Sequence, residues 1–312
     1  MLIRAFTVIF LLFIFPAQAD PVTIATWNIE GPKGLENKDL TGFASFVASA
    51  DAVVIVEVLG VDQMQDALNQ AGLGSWNMAI SDFAKDSISE PYKKQELAVI
   101  TPHEIGFIQE VDPWPNDDTQ EMKDNDQDFN VPAWMPSDQH GRKGARGWLW
   151  VEIPDLKLVV IAVHLKSSRG DRGKNDETNS FKREAVASAL AVKIREDSTD
   201  RPDWSYVVAG DFNVAPGDSY KVGTDLGKRC ERSDCRFYDQ THALFGSGLV
   251  HGLTMRNLTE GLSSSYAAGA FVDSQIDNIY AHGPIFDATT KMVLERGDTF
   301  GSDHYAVRVT VE

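Results

Sequence analysis

Apolar residues fall along this chain in short unbroken blocks, most of them closed by a polar residue. Val22–Ile29, Asp51–Leu59, Leu158–Leu165 and Tyr206–Asn213 have this form, which predicts strands buried on both faces. Gly147–Ile153 and Leu158–Leu165 read as a hairpin around Pro154-Asp155. Further strands are predicted at Trp76–Ile80, Gln95–Thr101, Lys291–Glu295 and Tyr305–Val311, and Phe271–Tyr280 is another apolar stretch. Helical spacing occurs in Asp39–Ala50 (Leu40, Phe43, Phe46, Val47) and Phe181–Glu196. A helix capped by Asp62 runs through Ala71 and stops at Gly72-Leu73-Gly74. Pro102–Arg146, with an acidic run from Asp117 to Asp128, has no period. It reads either as an insertion over one end of the fold or as a solvated acidic loop. Arg169–Thr178 is a glycine-rich polar loop, and Gly217–Tyr266 reads as irregular. The order β, α, β, α, then mostly β with one long helix, predicts an α/β (α+β) fold of two stacked mixed sheets with helices outside. No repeat and no linker divides it.

The strand ends carry the chemistry. In Tyr206–Asn213 the apolar run meets Gly210, then Asp211, Phe212 and Asn213. On an extended backbone Asp211 and Asn213 point to one side, forming a hard-oxygen site with a donor beside it. Gly210 permits a bend or a close approach. Glu57 interrupts Val53–Leu59, where an unpaired carboxylate is costly, so it belongs at an exposed strand end or on a metal. Taken singly, Asn28 reads as a turn amide, His164 as a satisfied core histidine and Asp303-His304 as a turn-forming pair. Asp277 is an acid inside Ile276–Ile279. Together they fit a phosphoester site whose oxygen ligands (Glu57, with Asp211, Asn28 or Asp303) suit Mg²⁺ or Mn²⁺ rather than zinc.

Composition changes the picture in three ways. Arg4, the apolar run Ala5–Phe15 and Ala17-Gln18-Ala19 make residues 1–19 a secretory signal peptide, leaving 20–312 as the folded domain. The run is short for a membrane span and none follows it, so a secreted or periplasmic protein without a transmembrane segment is expected. The formal net charge of −17 argues against a broad electrostatic grip on nucleic acid, though not against a nuclease that handles one phosphate at a time. Cys230 and Cys235, five apart, read in an oxidising compartment as a local disulfide. Free thiols, or a zinc site with His242 and His251, are the alternatives.

The series TWNIEG, VEVLG, HLKSS, GDFN, SQIDNI and GSDH, from Thr26 to His304, resembles the endonuclease/exonuclease/phosphatase superfamily, whose fold is that of pancreatic deoxyribonuclease. The resemblance implies a four-layered sandwich with the site at one edge of the paired sheets. It implies that Asn28 and Glu57 are the metal-site amide and carboxylate, and that His164 contacts phosphate. Asp211 and Asn213 would be the catalytic aspartate and amide. Asp277 would orient the final histidine, and Asp303-His304 would be the terminal pair, Asp303 on the metal side. Arg146 resembles a phosphate-contacting arginine, and Tyr92 a groove-contacting tyrosine. After that tyrosine the deoxyribonuclease branch has a supporting acid where this chain has Lys94, with Glu96 nearby. Mg²⁺ is the implied cofactor, with Mn²⁺ or a structural Ca²⁺ also admitted. The expected activity is phosphodiester hydrolysis by in-line water attack, with His304 or Asp211 as the base. Nucleic acid, DNA first, is the expected partner of a monomeric enzyme. A phosphatase or lipid phosphodiesterase, with the Trp114/Trp134 loop as a membrane contact, is the alternative, and a non-catalytic binder on this fold is a third reading.

Overall fold

The computed structural model describes residues 21–82, 96–111, 146–167, 169–170, 173–174, 177–216, 221–222, 237–246, 248, 252–267, 274–287 and 290–312. The segment 1–19 expected to be a signal peptide, Tyr92, the acidic run, Trp114, Trp134, Cys230, Cys235 and His251 lie outside these residues.

Two six-stranded sheets form the body. The first holds β1 (Val22–Asn28), β2 (Ala52–Val58), β3 (Asn77–Ile80), β4 (Glu96–Thr101), β15 (Met292–Arg296) and β16 (Val307–Val311), in the order β15-β16-β1-β2-β4-β3. The second holds β5 (Phe107–Val111), β6 (Trp148–Ile153), β7 (Leu158–His164), β10 (Ser205–Asp211), β13 (Arg256–Asn257) and β14 (Asp277–His282), in the order β13-β14-β10-β7-β6-β5. Short ribbons pair β8 (Arg169–Gly170) with β9 (Gly173–Lys174), and β11 (Lys221–Val222) with β12 (Phe237–Tyr238). Both large sheets are mixed: β1 runs parallel to β2, β7 parallel to β10, and their other neighbours run antiparallel.

The apolar blocks are unbroken because each strand is covered twice. On β10, Val207 and Ala209 face the other sheet, in a core shared with Val54, Val56, Val160 and Val309. Tyr206 and Val208 face outward, against Leu190 and Ile194 of the long helix α3 (Glu177–Asp200) and Phe245 of α4 (Thr241–Gly246). On the first sheet, Trp27, Val53 and Ile55 pack outward on Phe43 and Val47 of α1 (Leu40–Val47) and on Met64 and Leu68 of α2 (Val61–Gln70). The result is the four-layered sandwich that the sequence leads one to expect.

Local differences have local causes. The cap of α1 is Asp39, which accepts from Gly42 N at 2.9 Å. The cap of α2 is Gly60, so Asp62 sits in the first turn instead. Helix α3 extends past both predicted ends, because polar helical turns carry no apolar period to read. Strand β5 lies inside the stretch expected to be irregular. It is an edge strand with Phe107 and Ile108 exposed, so it lacks the alternation of a half-buried strand.

Candidate active site

Side chains from both sheets meet at one edge. In the second sheet the register sets His164, Asp211 and Asp277 side by side, since Asp211 pairs with His164 on β7 and with Asp277 on β14. Gly210 makes this possible. Its φ is 139°, and a Cβ there would lie 2.0 Å from the Val163 carbonyl oxygen. In the first sheet, β1 ends at Asn28 and β2 carries Glu57. Strict alternation would turn Glu57 under α1 and α2 with Val53 and Ile55. Instead the β2–β4 register shifts between Val56 and Val58, and Glu57 takes the left-handed φ of 65°. A bulge of this kind re-aims one side chain, and here it swings a carboxylate to the sheet edge.

The hydrogen bonds draw these groups together. Asn28 Nδ2 donates to Glu57 Oε1 and to Asp211 Oδ2, both at 3.2 Å, while Asn28 Oδ1 accepts from Glu30 N at 3.0 Å. In this orientation Asn28 brackets two carboxylates through its amide hydrogens. His164 Nε2 lies 3.7 Å from Glu57 Oε1 and 3.6 Å from Asp211 Oδ2. His304 arrives on the turn before β16, its Nδ1 2.8 Å from Asp277 Oδ2 and its Nε2 3.9 Å from Asp211 Oδ2. Asp303 Oδ1 is 3.8 Å from the same Nε2. Arg146 donates to Leu165 O at 3.4 Å, and its charge acts on Glu57 and Asp211.

Asn213 departs from the extended geometry expected for it. The strand stops at Asp211, and Asn213 is left-handed, with φ 55°. Its backbone N–H donates to Asp211 Oδ1 at 2.7 Å and its Nδ2 to Leu165 O at 2.9 Å. A turn, rather than the pleat, brings Asn213 to the site.

Several groups beside the site carried no assignable signal in the sequence. Ser302 Oγ donates to Asn28 O at 2.7 Å and accepts from His304 N at 3.2 Å, latching the last turn to β1. Ser265 Oγ accepts from the backbone N–H groups of Ile276 and Asp277 at 2.9 and 2.8 Å. The Tyr266 ring meets the His304 ring edge-on at 4.9 Å. Ser302 stands inside GSDH but looks like any turn serine, and Ser265 is one of three consecutive serines.

Charge is crowded here. Burial raises the Glu57 carboxyl above its ordinary range, against the Asn28 hydrogen bond and Arg146, which favour the ionised form. Burial, together with the charge of Asp277, pushes Asp211 up to about 7. Burial disfavours a charged His304, but Asp277, Asp211 and Asp303 outweigh it and raise the imidazole to about 10. Burial, with Arg146 and His304 nearby, holds His164 well below the ordinary histidine range, so it is neutral. The side chains of Asp211, Asp277 and His304 offer ligand atoms within 4.8 Å of one another. Asp277 gives Oδ2 to His304 and keeps Oδ1 buried with no hydrogen-bond partner among the described residues, and Glu57, Asp211 and Asp303 add further carboxylates around it. Buried carboxylates that resist ionisation beside one another are the electrostatic complement of a divalent ion, and this oxygen-rich donor set fits one.

Residues 25–304 match the Endonuclease/Exonuclease/phosphatase family. Searching the curated proteins by sequence gives no match. Among solved structures, the chain is similar to truncated TDP2 of Caenorhabditis elegans (16% identity, TM-score 0.55, covering 94% of this chain and 97% of that one). It is similar to an AP endonuclease from Archaeoglobus fulgidus (12%, TM-score 0.55, 92% and 98%). It is also similar to the 3′ phosphatase NExo from Neisseria bound to a product DNA hairpin (17%, TM-score 0.54, 93% and 98%). At these identities the likeness is one of fold.

Proposed function

This chain belongs to the Endonuclease/Exonuclease/phosphatase family, and from that premise we propose that it is an exported, divalent-metal-dependent phosphodiesterase acting on nucleic acid, DNA first. One observation carries the reading. Asp211, Asp277, His164 and His304 from one sheet edge and the final turn converge with Glu57 and Asn28 from the other sheet, with His304 Nδ1 fixed on Asp277 at 2.8 Å. A pure binding protein has no use for that spread of carboxylates and imidazoles. Two structural neighbours, NExo from Neisseria and D. rerio TDP2, hold product DNA, which supports DNA as the substrate class.

Glu57, oriented by the Asn28 amide, and Asp303 would hold the metal, which would supply positive charge to neutralise the phosphate. The chain's own groups do the rest. Arg146, neutral His164 and the Asn213 amide surround the non-bridging oxygens. The sequence reading gave the attacking water's proton to His304 in the first instance. The geometry favours Asp211, because an imidazole with Asp277 on one nitrogen and Asp211 and Asp303 near the other is held as a cation. A bond forms from the water oxygen to phosphorus as Asp211 takes the water's proton. The bond to the leaving oxygen breaks, and that oxygen gains its proton from solvent. Charged His304 donates to the phosphoryl oxygens throughout.

The test is incubation of the chain from Asp20 onward with supercoiled plasmid, Mg²⁺ and a chelator control. Metal-dependent nicking that is absent in Asp211→Asn and His304→Ala supports the reading. Intact plasmid, from a preparation that hydrolyses bis-p-nitrophenyl phosphate, would move the substrate to another phosphoester, such as the 3′ phosphate named for the Neisseria neighbour.

A further inference from the structure

His242, on the first turn of α4, takes no part in the reaction above, yet it is tied to two elements that do. Its ring lies on Phe212, with centroids 5.4 Å apart and planes 13° from parallel, and Phe212 is the wholly buried residue between Asp211 and Asn213. Nε2 is 2.8 Å from Val214 O, and Nδ1 is 2.8 Å from Tyr280 Oη. A carbonyl only accepts, so Nε2 carries the ring proton and Nδ1 accepts the Tyr280 hydroxyl. With both nitrogens engaged, His242 is not available to the zinc site considered from the sequence.

The two ends of this link matter. Val214 closes the turn that brings Asn213 to the site in the left-handed conformation, which asparagine adopts more readily than other non-glycine residues. Tyr280 stands on β14, three residues after Asp277. One imidazole therefore ties the exit of β10 to the strand that supplies Asp277. Its mounting is firm from behind. Arg183 of α3 donates to Asp239 Oδ2 through Nε and Nη2 at 3.1 and 2.6 Å, and to Lys166 O through Nη1 at 2.7 Å. Glu184 Oε1 accepts from Gln240 N at 2.6 Å. The residues leading into α4 are thus clamped to α3 just ahead of His242.

We infer that His242 is a positioning residue, holding the Asp211–Asn213 turn in its reactive geometry through Val214 O and Phe212. The link to activity rests on the hydrolase reading; the link to the turn does not. Two variants and two readouts test it. His242→Phe keeps a ring on Phe212 and deletes both hydrogen bonds; should it fold poorly, Tyr280→Phe deletes the bond to His242 Nδ1, together with the 3.4 Å bond from Asn257 Nδ2. In either, the Asn213 amide should exchange with solvent about 10-fold faster or more, while amides of Tyr206–Ala209 keep wild-type protection. For bis-p-nitrophenyl phosphate, kcat should fall about 10- to 100-fold with KM within about 2-fold, the signature of displaced rather than lost groups. His242→Gln, which keeps an N–H donor, should recover part of kcat. Leu190→Ala, which loosens the core that also holds Phe212 and Val214 but deletes no hydrogen bond to the turn, should leave kcat unchanged. Unchanged Asn213 exchange, or acceleration spread evenly along β10, overturns the proposal. If the wild-type chain hydrolyses no phosphoester, the hydrolase reading falls and the exchange data alone decide what His242 does.

Discussion

At the residue scale the site turns on two carboxylates whose surroundings give them different work. Asp277 is wholly buried and spends Oδ2 on His304. Asp277→Asn should let the His304 imidazole titrate well below about 10, since Asp277 is the foremost of the charges raising it. Activity should fall about 10²- to 10⁴-fold with the far-ultraviolet dichroism unchanged. An NMR titration of His304 beside a rate measurement checks both, and a fully active Asp277→Asn would remove the pair from the mechanism. Glu57 faces the opposite situation, its carboxyl raised chiefly by burial. A neutral isostere relieves that cost. In chelator at pH 7.5, Glu57→Gln should melt no lower than wild type and up to about 2–4 °C higher. Added Mg²⁺ should then stabilise wild type alone, because binding to the folded state stabilises by mass action. Equal Mg²⁺ stabilisation of both proteins in a thermal melt would place the cation elsewhere.

Elements set what the residues can do, and this is where the sequence was most and least readable. Runs such as Val53–Val58 and Tyr206–Ala209 announce strands covered on both faces, and two such sheets with helices outside follow almost directly. Which polar residues close those runs was also legible, because an acid or histidine ending an apolar block is conspicuous. How the backbone brings them together was not. The Glu57 bulge and the left-handed Asn213 break the period-2 rule on which the reading depended, and Ser302, Ser265 and His242 act through pairings distant in the chain. Gly210 is the element-scale test. A Cβ there would meet the Val163 carbonyl at 2.0 Å, at a φ that side chains rarely adopt. Gly210→Ala should cost about 3 kcal/mol or more, read as a lower denaturation midpoint, and should force β7 and its terminal His164 away from β10. Helix α3 offers a second test. Glu184 is 1% exposed, and burial, with Asp239 nearby, pushes its carboxyl from 4.5 to about 8. The folded state therefore holds this proton where the unfolded chain has lost it. Stability from this group is complete below about pH 4.5, declines as pH rises and levels off above about 8. Glu184→Gln, whose amide oxygen can still accept from Gln240 N, should gain on wild type by about 1–3 kcal/mol between pH 5 and pH 8.5. A constant difference between the two denaturation curves across that range would mean that the carboxyl titrates normally.

The whole molecule constrains how a nucleic acid could be held. The chain carries a formal charge of −17, so a long strand is repelled by most of the surface it approaches. Among the described residues, Arg146, His304 and Lys166 act on His164, while Lys33 and Lys38 act on Asp303 but are paired with Glu30. Acting on the proposed substrate, such a site would grip one phosphate and its immediate neighbours, and the rest of the duplex would contribute little binding energy. Counterion release then gives a shallow salt dependence. With about two or three phosphates neutralised, log(kcat/KM) for plasmid nicking should fall against log[salt] with a slope of about −2 to −3. Mg²⁺ is held constant and the salt varied from about 50 to 200 mM, the range over which extensive phosphate contact costs many-fold more. The same reasoning predicts distributive action, with singly nicked plasmid accumulating before linear product appears. A slope steeper than about −5, or linear DNA formed without a nicked intermediate, would require a basic track beyond these groups. Neutralising Lys93, Lys94, Arg142 and Lys143, which lie outside the described residues, would then show whether that track is theirs. If their loss flattened the slope while leaving hydrolysis of a small diester intact, binding of the polymer would be separable from the chemistry at the sheet edge.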